Sequence, residues 1–238
     1  MKPYRLSHQR KITVGRYDTI VYGAGSYDDC MWQWEKKILD REVARFPRAR
    51  YLDFGCGTGR VIAYLENRMG ESVGVDNSRE MLARARERAS HSQLIEADLT
   101  LNDVLAGREF DIITAFRVLL NSEPALRDDI LRVLAPKLAK GGIFIFNIHG
   151  NTFSYRMLMV LWYKLFGRRL NHLSYLGARR MIERHGMQVV RAYGFGIIPK
   201  PLYRYLSKRA LFFLDSMLAK IPFFKYISYN MVFVCTRA

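Results

Sequence analysis

Residues Tyr51 to Arg60 read YLDFGCGTGR, and residues Ser72 to Asp76 read SVGVD. The first stretch begins as a strand, breaks into three glycines on alternate positions, and returns to a helical pattern of apolar residues. Glycine lets the backbone turn sharply and lie against a ligand, and the following helix offers N–H groups at its N-terminus. The second stretch reads as a strand that ends in an acid. Together they predict neighbouring parallel strands with a ligand site at their carboxyl ends.

Two acidic residues indicate the chemical class of the expected ligand. A dinucleotide site has the spacing G-x-G-x-x-G, whereas Gly55, Gly57 and Gly59 follow G-x-G-x-G. Asp53, just before the glycines, would repel a pyrophosphate and suits a cationic or zwitterionic ligand. Asp76 is placed to accept the hydroxyls of a ribose. This D-x-G-x-G-x-G pattern with a later acid resembles the class I S-adenosylmethionine (SAM) dependent methyltransferases.

The resemblance implies SAM as cofactor, with S-adenosylhomocysteine (SAH) as product. In the family, an Asp at the position of Asp98 accepts a hydrogen bond from the adenine amino group, and the next backbone N–H reaches the ring. The alternative is that Asp98 caps a short helix at residues 102–106. The cofactor-binding residues predicted in this way are Asp53, Gly55, Cys56, Gly57, Gly59, Asp76, Asn77, Met81, Asp98, Leu99 and Phe116.

The rest of the chain alternates strand and helix patterns five times, which predicts an α/β fold with a doubly wound parallel sheet and helices on both faces. Ser78 and Ser122 are predicted N-caps of two of these helices. The resemblance adds a total of seven strands, closed by an antiparallel hairpin, and an N-terminal lid. Tyr17 and Tyr22 are candidates for that lid; the alternative is ordinary packing of these aromatic residues. The expected parts are an N-terminal lid and helix at 1–48 and a methyltransferase domain at 49–238, with substrate-recognition insertions at 151–172 and 197–226.

Three residues are candidates for contact with the methyl acceptor. Arg117 and Asn121 follow the fourth predicted strand, and His149 stands at the tip of the fifth. The N-P-P-Y and D-P-P-Y signatures of amino-group methylation do not follow the fourth strand. An imidazole with an ordinary pKa of about 6.5 suits proton removal from a hydroxyl. We predict His149 as general base with Asn121 and Arg117 orienting the acceptor; the alternative is that His149 is a structural hydrogen-bonding group.

Positive charge is concentrated in the C-terminal part. Of the net +16, residues 151–238 carry +13, from 15 Lys and Arg against Glu183 and Asp215. This asymmetry predicts a polyanionic partner, either nucleic acid or an anionic membrane surface. The basic residues of both insertions are interleaved with aromatic and aliphatic ones, which is typical of helices at a membrane interface. The alternative is a helical cap that covers the active site.

Cysteines and histidines indicate neither disulfides nor metal. Cys30, Cys56 and Cys235 show no ligand spacing and no even disulfide framework, and the five histidines show no ligand spacing either. No signal peptide is apparent, and no run of about 18 apolar residues would span a bilayer. We therefore predict a metal-independent cytoplasmic protein, with membrane association left open.

These observations predict a SAM-dependent methyltransferase that acts on a small or lipid-like hydroxyl acceptor at the membrane surface. Two alternatives stay open. An RNA methyltransferase would also be basic, although no appended RNA-binding module is apparent. A SAM-binding protein without catalysis is the other alternative.

Overall fold

A computed structural model describes residues 26–167 and 171–238, apart from the side chain of Arg204, and its centre is one β-sheet. The described chain contributes seven strands: β1 Arg50–Phe54, β2 Glu71–Asp76, β3 Gln93–Glu96, β4 Phe110–Ala115, β5 Leu138–His149, β6 Met187–Phe195 and β7 Asn230–Arg237. Their order is β3-β2-β1-β4-β5-β7-β6. The first five are parallel, and β7 is antiparallel to β5 and β6. The predicted mostly parallel seven-stranded sheet is confirmed.

Helices cover both faces of the sheet. The α-helices are α1 Tyr27–Val43, α2 Arg60–Leu65, α3 Arg79–Arg86, α4 Pro124–Lys137, α5 Arg156–Leu165, α6 Tyr175–Glu183, α7 Leu202–Tyr205 and α8 Lys208–Leu218. One apolar core joins a face of the sheet to α4 and α6, and a second joins the opposite face to α1, α2, α3 and α8. Neighbouring residues of β1 belong to different cores, since Leu52 packs in the first and Tyr51 in the second. Tyr17 and Tyr22 lie outside the described residues.

One of the two predicted helix caps is confirmed. Ser78 Oγ accepts from the N–H of Met81 at 3.3 Å and caps α3. The predicted cap at Ser122 is wrong, because α4 begins one residue later, with Glu123 as N-cap. The Ser122 hydroxyl is buried and donates instead to the Val118 carbonyl at 2.9 Å.

Two other segments differ from their sequence patterns. Residues 102–106 form turns rather than a helix, and the Asp103 carboxylate accepts from the N–H of Leu105 there, which competes with helical hydrogen bonding. The last strand begins at Asn230 rather than Tyr226. Residues Pro222–Tyr226 form a 3₁₀ helix, and Asn151 Nδ2 donates to the Tyr226 carbonyl at 2.7 Å, so that this carbonyl is engaged outside the sheet.

The two predicted insertions contain helices and meet beside the start of α1. The first contains α5; the second contains α7, α8 and the 3₁₀ helix. Tyr155, at the start of α5, stacks on Tyr229 with ring centroids 4.8 Å apart. Tyr27 of α1 makes edge contacts with Tyr229 at 6.4 Å and with Tyr203 of α7 at 5.1 Å. These tyrosines join both insertions to the N-terminal helix.

Candidate active site

The glycine loop connects β1 to α2 in a left-handed backbone conformation. Gly55, Gly57 and Gly59 have φ values of 67°, 55° and 80°. A Cβ on Gly59 would stand 2.9 Å from the Ala85 backbone of α3, so this glycine lets the two helices approach each other. A Cβ on Gly57 would meet no atom within 4 Å. The loop is therefore open on the side where Gly57 lies.

Asp76 ties this loop to the end of β2. Its Oδ2 accepts from the N–H of Gly57 at 2.8 Å, and its Oδ1 accepts from the N–H of Ser78 at 2.9 Å. A carboxylate has about four lone-pair sites, so that both oxygens retain capacity for a ligand. Asp76 thus fixes the glycine loop and also lines a pocket at the carboxyl ends of the strands.

This pocket lies at the carboxyl ends of β1, β2, β3 and β4 and holds about 870 Å³ of empty space, part of it open to solvent. Most of the predicted site residues line it. From the cofactor set these are Gly55, Gly57, Asp76, Asn77, Met81, Asp98, Leu99 and Phe116, and from the acceptor set Arg117 and Asn121. The structure therefore brings together residues from four separate strand ends.

Sequence reasoning missed several lining residues. Thr58 and Thr100 belong to the loops already recognised, whereas Leu126 and Ile130 come from α4. The last two are four residues apart at the start of a helix that follows β4. Their i, i+4 spacing on one helix face was the available signal.

Three residues that were predicted to bind the cofactor do not line the pocket: Asp53, Cys56 and Gly59. Asp53 is buried, and its Oδ1 accepts from the Thr114 hydroxyl at 2.7 Å. Burial raises the pKa of Asp53 to about 7. Burial also raises the pKa of the Cys56 thiol well above its ordinary value, which keeps this thiol protonated. Gly59 packs against α3 instead of lining the pocket.

Arg117, which is predicted to orient the methyl acceptor, has an unusual backbone conformation. Its φ is 61°, a left-handed conformation that non-glycine residues seldom adopt and that is often found at functional sites. The Arg117 N–H donates to Asn147 Oδ1 at 2.6 Å, and Asn147 Nδ2 donates to Glu35 at 2.6 Å. Asn121 Nδ2 donates to the Arg117 carbonyl at 2.6 Å. The buried side chain of Asn147 and the half-buried side chain of Asn121 thus hold both peptide groups of Arg117.

His149, the last residue of β5, does not line this pocket. Its Nδ1 is buried and has no hydrogen-bond partner among the described residues. Burial, together with the positive charges of Arg117, Arg156 and Lys200, holds the pKa of His149 well below its ordinary value. The expectation of an ordinary pKa near 6.5 is therefore wrong. His149 is a neutral imidazole in a positively charged environment.

The fold and the pocket define an α/β protein with a Rossmann-like methyltransferase architecture. The family model of a methyltransferase domain matches residues 52–142. Residues 52–142 are therefore similar to a methyltransferase domain, and the described chain has the fold of the class I SAM-dependent methyltransferases.

Known proteins resemble the chain over part of its length. It is 30% identical over 135 residues to the carboxy-S-adenosyl-L-methionine synthase of Methylococcus capsulatus, covering 52% of this chain and 55% of that protein. It is 33% identical over 82 residues to the malonyl-acyl-carrier-protein O-methyltransferase of Enterobacter lignolyticus, covering 33% and 32%. The chain thus spans about half the length of the first relative and about a third of the second.

Among solved structures, magnesium protoporphyrin IX methyltransferase from Synechocystis with bound SAH superimposes with a TM-score of 0.67. The two chains are 15% identical, and the match covers 95% of this chain and 94% of that one. At this identity the comparison shows a shared fold.

The pocket residues fit SAM, the methyl donor of this family. The Asp76 carboxylate stands at the sheet edge where a ribose is expected, the open side of Gly57 permits close approach, and Met81 and Phe116 offer apolar surface to a base. When bound, SAM supplies a methyl group on a positively charged sulfur.

The described residues contain no group of three or more His, Cys, Asp or Glu that could hold a metal ion. Within the same residues, no helix has both the length and the apolar character needed to cross a bilayer.

Proposed function

We propose that the protein transfers a methyl group from SAM to a hydroxyl group of a small or lipid-like acceptor at a membrane surface. The observation that supports methyl transfer is the single pocket wall in which Asp76 and the glycine loop stand beside Arg117 and Asn121. A cofactor and an acceptor can therefore meet in one cleft.

The cofactor roles follow from the positions of the lining residues. Asp76 accepts the ribose hydroxyls, and Asp98 with the N–H of Leu99 recognises the adenine edge. Met81 and Phe116 pack against the ring. The loop at Gly57 lies along the amino-acid end of SAM. The residues that match the family motifs line one pocket, and this pocket is large enough to hold SAM.

The reaction itself is an in-line displacement. The acceptor oxygen forms a bond to the methyl carbon while the carbon–sulfur bond breaks, and SAH leaves. Alignment of the two reactants alone contributes about 7–11 kcal/mol in favourable cases. In this proposal Asn121 and Arg117 orient the acceptor, which extends past the pocket lining to His149, and the neutral imidazole of His149 takes the hydroxyl proton.

A lipid-like acceptor is supported by the surface of the first insertion. Helix α5 has no buried residue, and Leu158, Trp162 and Leu165 are 69%, 61% and 80% exposed. In the second insertion, Phe213 of α8 is 67% exposed, beside basic residues such as Arg209. Exposed apolar side chains with interleaved positive charges match the two requirements of an interfacial helix, insertion and attraction to anionic headgroups.

The test is methyl transfer from labelled SAM into host-cell lysate, with the Asp76→Ala variant as the control for label that does not depend on the cofactor site. Label in the organic-solvent extract is the expected result. Label that disappears on ribonuclease treatment would instead establish an RNA acceptor. SAH binding without any transfer of label would leave a SAM-binding protein without catalysis.

A further inference from the structure

Asp28, in the first turn of α1, holds two cations from different parts of the chain. Its Oδ1 accepts from Arg117 Nη2 at 3.2 Å, and its Oδ2 accepts from Lys200 Nζ at 2.7 Å. Arg117 belongs to the pocket wall after β4, and Lys200 belongs to the second insertion. One carboxylate thus links the pocket wall to the second insertion.

Among the described residues, three cations lie around this carboxylate and His149: Arg117, Arg156 and Lys200. Arg156 lies nearby and donates to the carbonyls of His149 and Asn171 and to the Tyr229 hydroxyl, all of them neutral groups. Arg117, Arg156 and Lys200 all act electrostatically on His149. Asp28 contacts both Arg117 and Lys200 directly. Within the described part of the chain, three cations and one carboxylate that contacts two of them thus lie next to a proposed acceptor site.

The backbone of Arg117 supports a role in binding. Its left-handed φ of 61° is maintained by hydrogen bonds from the Arg117 N–H to Asn147 and from Asn121 to the Arg117 carbonyl. A strained residue that the surrounding groups hold in place is frequently part of a ligand site. A guanidinium so fixed is well suited to bind an oxyanion, because its N–H groups form a rigid fork.

We propose that Arg117 and Lys200 form a subsite for an anionic group of the acceptor, a phosphate or a carboxylate, and that Asp28 fills this subsite until the acceptor displaces it. The inference rests on the proposed function in that it assigns the anion to the methyl acceptor. It makes the acceptor an anionic amphiphile and makes Asp28 an internal competitor.

Displacement of Asp28 is physically reasonable. The side chains of Asp28 and Lys200 are 17% and 55% exposed, so that solvent reaches the ion pair. Once released, the Asp28 carboxylate stays at the N-terminus of α1, where the helix dipole stabilises negative charge. A phosphate offers more acceptor oxygens and more charge than a carboxylate, and so it can engage both cations.

The experiment is calorimetric titration of the SAH-saturated protein with hexyl phosphate, with hexanol and with inorganic phosphate. Asp28→Asn removes the competitor and should raise the affinity for hexyl phosphate at least threefold. Lys200→Gln removes one of the cations and should lower it at least threefold. Neither variant should change the response to hexanol. Asp129→Asn, which removes one acid from an exposed pair on α4, is the matched charge control and should behave like the wild type.

The three probes also separate the sources of the anion. Equal effects of the variants on hexyl phosphate and inorganic phosphate would mean that a free oxyanion is enough, whereas effects confined to hexyl phosphate would mean an amphiphile; both results support the subsite. Unchanged affinity of hexyl phosphate in folded Asp28→Asn and Lys200→Gln proteins, checked by their thermal unfolding, would overturn it. Failure of the wild type to bind SAH would instead contradict the proposed function.

Discussion

The carboxylate of Asp76 accepts a hydrogen bond from the backbone N–H of Gly57 at 2.8 Å across two strand ends. The acid at the end of β2 therefore fixes the glycine loop in addition to facing the pocket. Its removal should affect a nucleoside ligand in two ways, by loss of a charged acceptor and by loosening of the loop.

Asp76→Ala is expected to weaken SAM and SAH binding by more than tenfold, because ribose hydroxyls lose a charged acceptor and the Gly57 N–H loses its partner. Isothermal titration with SAH measures the effect. Glu71→Gln is the control, since Glu71 lies at the opposite end of β2 and pairs with Arg108. Equal affinity of wild type and Asp76→Ala would contradict the cofactor assignment.

Gly59→Ala is expected to destabilise the fold through two separate effects. Alanine at φ 80° is strained by about 1–3 kcal/mol, and its Cβ would also press on the Ala85 backbone. Gly107→Ala is the matched control, because Gly107 has a φ of 75° but no atom within 4 Å of a Cβ. Urea unfolding should show a loss at Gly59 that exceeds the loss at Gly107 by about 1–3 kcal/mol. Equal losses would mean that α2 and α3 make room for the new Cβ without a measurable loss of unfolding free energy.

Asp53 should make the stability of the fold pH-dependent. Its pKa is about 7 in the folded protein, above the value of about 3.9 for an unfolded chain. Between these values the folded state retains a proton that the unfolded state has lost, so that the contribution of Asp53 to stability is greatest below about pH 4 and falls as the pH rises toward 7.

Asp53→Asn removes this titration while an amide oxygen can still accept from Thr114. Relative to the variant, the wild type should lose about 2–3 kcal/mol of unfolding free energy between pH 5 and pH 8. Urea unfolding of both proteins at the two pH values tests this. Parallel changes in the two proteins would show that Asp53 does not titrate in this range.

His149→Ala is expected to lower kcat by about 10²–10⁴-fold on the true acceptor, as for loss of a general base. The pKa of His149 lies well below its ordinary value, so the imidazole stays neutral and kcat should not fall between pH 8 and pH 6 through its protonation. His91→Ala, at an exposed position, is the control. Near-normal turnover of His149→Ala would leave His149 as a structural group.

The apolar surface of α5 should determine membrane attachment. The double substitution Leu158→Glu and Leu165→Glu is expected to reduce binding to vesicles of anionic lipid at least tenfold. Burial of each leucine contributes about 1.5–3 kcal/mol to the free energy of membrane binding. Vesicle flotation at moderate salt measures the loss. Val104→Glu, at an exposed position in a turn before β4, is the control. Unchanged flotation of the double variant would contradict insertion of α5.

Local patterns in the sequence determined most of the fold and of the cofactor pocket. Glycine spacing, the acids at strand ends and the alternation of strand and helix are short-range features. They predicted the sheet edge at which Asp76, Asp98 and Gly57 line one pocket. Ser78 was recognised as a cap because capping is decided within four residues.

Tertiary contacts decided what local patterns could not. Asp53 shares the glycine motif, yet burial beside Thr114 places it behind the pocket wall. The low pKa of His149 arises from burial and from cations that are distant in sequence, such as Lys200. The bridge from Asp28 to Arg117 joins residues 89 positions apart. Desolvation and long-range charge depend on which surfaces meet in three dimensions, and so they are set by packing rather than by any single stretch of sequence.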